Sequence, residues 1–73
     1  MSSFIVEKKI LNILNRQGIK SMPDGRIYLD SLSLVTLILS IEEEFNLTVS
    51  TEAATKFPGI TVTGLVSYVL SML

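Results

Sequence analysis

Leu29-Asp30-Ser31-Leu32-Ser33-Leu34-Val35-Thr36-Leu37-Ile38-Leu39-Ser40-Ile41-Glu42-Glu43-Glu44-Phe45 is the stretch whose reading decides the fold. Its apolar spacing predicts a helix that begins at Asp30-Ser31. Asp30 makes a good N-cap, since its carboxylate accepts from the free amides of the first turn and its charge suits the positive end of the helix dipole. At about 100° per residue, Leu34, Leu37, Ile38, Ile41 and Phe45 fall on one continuous apolar stripe, which is the expected core face. Ser33, Thr36, Ser40, Glu43 and Glu44 occupy the opposite arc and read as a solvent face. A third arc holds Leu32, Val35 and Leu39, with Glu42 at its near edge, and Ser31 falls between this arc and the core stripe. The third arc either widens the core or forms a docking surface grouped around the serine, because exposed apolar clusters rimmed by charge mark partner sites.

Upstream, Val6, Ile10, Ile13 and Leu14 recur at helical spacing, and Leu11 widens their face, so a first helix is expected from about Phe4 to Gln17. Ser2 or Ser3 caps its start and Gly18 ends it. The segment from Gly18 to Leu29 is a long connection containing a Pro23-Asp24-Gly25 turn. A loop of that length needs pinning, and Ile19, Met22, Ile27, Tyr28 and Leu29 are the candidates. Downstream, Ser50 or Thr51 caps a short third helix through Lys56, Phe57 packs its end, and Pro58-Gly59 stops it. Thr61 or Thr63 opens a last helix in which Val62, Leu65, Val66, Val69, Leu70 and Leu73 follow one face. Its β-branched content lowers intrinsic helicity, so packing must hold it. Tyr28, Tyr68, Phe45 and Phe57 are expected to be packing residues. The predicted architecture is an all-α, small four-helix bundle of three main helices and one short helix with a long first loop, residues 1–73 forming a single domain.

Composition narrows the function. The 73 residues include no cysteine and no histidine, so thiolate chemistry and the commonest general base are both missing, and catalysis by this chain is not expected. Net charge is −1, and the six basic residues are scattered rather than gathered into the stripe that nucleic acid requires. The acidic run Glu42-Glu43-Glu44 suits a basic partner instead. Nearly half the residues are hydrophobic and the mean hydropathy is +0.53, which favours a packed domain over disorder. No secretory signal is read at the N-terminus, and the apolar run from Leu32 to Ile41 is about half of what a bilayer crossing needs. A soluble cytoplasmic monomer is expected.

Asp30-Ser31-Leu32 opening an apolar helix, Glu42-Glu43-Glu44-Phe45 at its end, a short capped helix, and Thr61-Val62 leading a final helix through Tyr68-Val69 together resemble an acyl carrier protein or the related peptidyl carrier domain. The likeness runs from Asp30 to Val69, and the first helix agrees in type and position. The resemblance implies that Ser31 is the attachment point for 4'-phosphopantetheine, moved there from coenzyme A by a Mg²⁺-dependent phosphopantetheinyl transferase, with Asp30 beside it. The terminal thiol then carries an acyl or aminoacyl group as a thioester, supplied by a loading ligase and used by downstream synthase enzymes. By the same resemblance Leu32, Val35 and Leu39 match apolar docking positions, and Glu42 and Glu43 match acidic ones that meet basic patches.

Leu29 stands before Asp30 where carriers of fatty-acid synthesis usually show glycine followed by one apolar residue. Ser33 and Thr36 occupy positions often acidic in those carriers, and the first loop is shorter. These departures point to a specialised carrier for a polyketide, nonribosomal peptide or fatty-acid-like pathway. Two other classes compete. An unmodified carrier-like adaptor would use the same surface without needing Ser31. An enzyme using Asp30 with Ser31 would need a base, and none is in sight.

Overall fold

The computed structural model describes residues 2–73 as four α-helices, with no strand among them: α1 (Ser3–Arg16), α2 (Ser31–Phe45), α3 (Thr51–Ala54) and α4 (Val62–Met72). Each helix starts at a side-chain cap. The Ser2 hydroxyl accepts from the Ile5 amide at 3.3 Å, the Ser50 hydroxyl from Ala53 at 3.1 Å and the Thr61 hydroxyl from Gly64 at 2.9 Å, each satisfying an amide that has no partner inside its helix.

α1 packs most extensively against α4 and next against α2. Its buried face is Val6, Ile10, Ile13 and Leu14; α2 adds Leu37, Ile41 and Phe45, and α4 adds Leu65, Val66 and Val69. The expected core stripes of the three long helices are therefore the observed ones, with Leu34 and Ile38 of α2 half-buried at the margin. Leu11 does not widen the α1 face and is exposed, as is Leu73 at the end of α4. Phe57 lies buried beneath α3 and meets Tyr68 edge to face, ring centroids 5.5 Å apart.

α1 stops where Gly18 adopts φ +67°, and the Ile19 amide turns back to the Leu14 carbonyl at 2.9 Å. α3 ends at Ala54, earlier than the expected Lys56. The chain tightens there, the Lys56 and Phe57 amides bonding the carbonyls of Ala53 and Ala54, three residues back.

The long connection between α1 and α2 is held by its backbone as much as by its side chains. Ile27 is buried and Ile19 and Leu29 pack against the core, but Met22 and Tyr28 point outward. Tyr28 is thus no packing residue: around Ile27 the chain runs extended, so successive side chains alternate in, out, in. The Pro23-Asp24-Gly25 turn forms as expected, the Gly25 amide donating to the Met22 carbonyl at 2.9 Å. Around it the Tyr28 amide donates to the Lys20 carbonyl at 3.1 Å. The Ile27 amide donates to Ile60 at 2.9 Å and the Val62 amide to Gly25 at 3.3 Å, and Arg26 and Thr61 form an antiparallel bridge. This backbone clip ties the chain entering α2 to the chain entering α4.

Candidate functional site

α2 begins as its cap chemistry requires. One Asp30 carboxylate oxygen accepts from the Ser33 amide at 2.8 Å, and the Asp30 carbonyl takes the first intrahelical bond, from Leu34 at 2.9 Å. Hydrogen bonds to the charged form, first from the Ser33 amide, then from the Ser33 hydroxyl and more weakly from Leu32, hold the Asp30 carboxyl below its ordinary value against a small opposing desolvation. Asp30 is therefore a carboxylate at neutral pH, engaged with the helix end. Ser31 is the first helical residue, and its side chain is exposed.

Beside Ser31 the third arc is open. Leu32 is 77 % exposed, Val35 53 % and Leu39 58 %, at offsets of three and seven residues along one side of α2. The alternative in which they widen the core does not hold, because the neighbouring helices cover only the stripe centred on Leu37 and Ile41. Tyr28, 63 % exposed, adds an aromatic ring to the surface two residues before the cap.

The acidic run divides. Glu43 and Glu44 are exposed, whereas Glu42 is half-buried and its carboxylate accepts from the Val49 amide at 2.8 Å. The expected solvent arc also needs correction. Ser33, Thr36 and Ser40 are half-buried, and the side-chain amide of Gln17 reaches across from the end of α1 to donate to the Ser40 hydroxyl and, at 3.5 Å, to the Thr36 carbonyl. The other Gln17 amide atom, Oε1, is buried without a partner. Gln17 had been legible only as a helix end, since nothing local signals a partner on another helix.

Among the described residues no group of three or more carboxylate, cysteine or histidine side chains is placed to hold a metal ion. Among them, too, no helix is long and apolar enough to cross a membrane. What the arrangement offers is a serine hydroxyl open to solvent at the positive end of a 15-residue helix, next to an exposed apolar stripe. No family model matches the chain, and comparisons with curated proteins and with solved structures found no match.

Proposed function

We propose that this chain is an acyl or peptidyl carrier in which Ser31 bears 4'-phosphopantetheine and an acyl or aminoacyl group travels on it as a thioester. The observation that carries the proposal is the exposed Ser31 at the start of α2, directly beside the exposed Leu32, Val35 and Leu39. The carrier-like pattern from Asp30 to Val69 supports it, and on this reading the four helices are a carrier-type bundle.

The residues present fit the group. An exposed hydroxyl is accessible to a transferase, and a phosphodiester formed at a helix N-terminus sits near free first-turn amides and the positive end of the dipole. The bound group would supply a thiol, which a chain without cysteine lacks. Asp30 fixes the helix start so that Ser31 is presented at a defined place. Leu32, Val35 and Leu39 give partner enzymes an apolar surface, and the exposed acid Glu43 at the far end of α2 orients partners that carry a basic patch; Glu42, expected to act beside it, is half-buried with its carboxylate on the Val49 amide. The partners are a phosphopantetheinyl transferase, a loading ligase and downstream synthase enzymes of a specialised pathway, met by a cytoplasmic monomer.

The test is intact mass after incubation with coenzyme A, Mg²⁺ and a permissive phosphopantetheinyl transferase, with the natural chain and Ser31→Ala side by side. The expected result is a gain of one phosphopantetheine by the natural chain and none by Ser31→Ala. The exposed stripe would serve an unmodified adaptor equally well. No gain with several transferases by a chain that keeps its helical spectrum overturns the carrier in favour of that adaptor.

A further inference from the structure

We infer that Glu42 is the latch of the α2–α3 connection, a positioning residue whose side chain holds the backbone that seats α3. Three amides of the returning chain end on this one residue. Asn46 and Leu47 donate to its carbonyl, Leu47 at 3.2 Å, and Val49 donates to its carboxylate Oε2 at 2.8 Å. Asn46, left-handed at φ 53°, turns the chain so that it folds back along the last turn of α2.

Leu47 and Val49 then pack on the core while Asn46, Thr48 and Ser50 face outward, an alternation that fixes which side of this extended segment is in. The Val49 amide lies in a part-buried place, and its bond to Glu42 is what satisfies it there. Without that acceptor the amide loses its partner in a site where water replaces it poorly. The next residue, Ser50, is the cap of α3, so the latch also sets where α3 begins. Glu42 has an acceptor's role, for which a carboxylate or a side-chain amide serves and a methyl group does not. The role holds whether or not Ser31 is modified, and it leaves Glu43 and Glu44 as the freely exposed acids at this end of α2.

Amide hydrogen exchange measured by NMR on the natural chain, Glu42→Gln, Glu42→Ala and Glu43→Ala tests this. Loss of a hydrogen bond to a charged group is expected to speed Val49 exchange about tenfold or more in Glu42→Ala. Glu42→Gln, which keeps an acceptor without the charge, gives a rate between those of the natural chain and Glu42→Ala, and Glu43→Ala matches the natural chain. An unchanged Val49 rate in Glu42→Ala, or a rate in Glu42→Gln as fast as in Glu42→Ala, overturns the latch. Should Glu42→Ala fail to fold by circular dichroism, Glu42→Met, which keeps the side chain's length without an oxygen acceptor, takes its place: Val49 exchange about tenfold or more faster supports the latch and an unchanged rate overturns it.

Discussion

Asp30 illustrates how much a single residue contributes when its partner is three positions away. Its carboxyl is held below the ordinary value of 3.8 by the Ser33 amide and hydroxyl. The stabilisation that follows is complete above the unfolded value and is lost as the pH falls through the lower folded one. Asp30→Ala is therefore expected to melt below the natural chain at neutral pH, with the gap narrowing under acid. Asp30→Asn keeps an accepting oxygen without the titration, so its own melting should lack this component of the acid dependence. Thermal unfolding followed by circular dichroism from pH 7 to pH 3 checks both. Asp30 was legible as a cap in the sequence, and the other helix starts were legible as pairs, Ser2 or Ser3, Ser50 or Thr51, and Thr61 or Thr63, because donor and acceptor are local; the structure places the caps at Ser2, Ser50 and Thr61. The Gln17 contacts were not, since Thr36 and Ser40 lie 19 and 23 residues further along the chain.

At the scale of the helix, α2 sets two leucines of identical chemistry two residues apart in different worlds. Leu37 is fully buried and Leu39 is largely exposed. Leu37→Ala is expected to cost about 2–5 kcal/mol, a large share of the roughly 5–15 kcal/mol available to a small domain. Leu39→Gln should change stability by no more than about 0.5 kcal/mol, so that any loss of partner binding in it reports on the surface. Urea unfolding of both variants measures the contrast. Periodicity located the core stripe of α2 because 3.6-residue spacing is a property of the element alone. How wide a stripe the neighbours cover is a property of their packing, which is why Leu11 looked like core and Leu32, Val35 and Leu39 stayed ambiguous. The same limit hid Tyr28, whose outward direction follows from the pairing of Ile27 with Ile60 in a distant segment.

Over the whole molecule the radius of gyration is 11.0 Å, close to the roughly 11 Å expected of a folded chain of this length, so the long connection between α1 and α2 adds no loose volume. The backbone clip explains this: Arg26, Ile27 and Gly25 are all paired with the segment from Ile60 to Val62. The starts of α2 and α4 are thus braced together, and Ser31 projects from a fixed rather than a wandering platform. The clip also bears on proteolysis. Arg26 presents an exposed side chain of the kind trypsin recognises, on a surface loop of the kind usually cut first. Yet its carbonyl accepts from Met22, its neighbour Ile27 donates to Ile60, and a protease needs several unpaired residues to thread its cleft. Limited trypsin digestion should therefore leave the Arg26-Ile27 bond intact while the clip is closed, and the rate of any nick there should follow how often the clip opens.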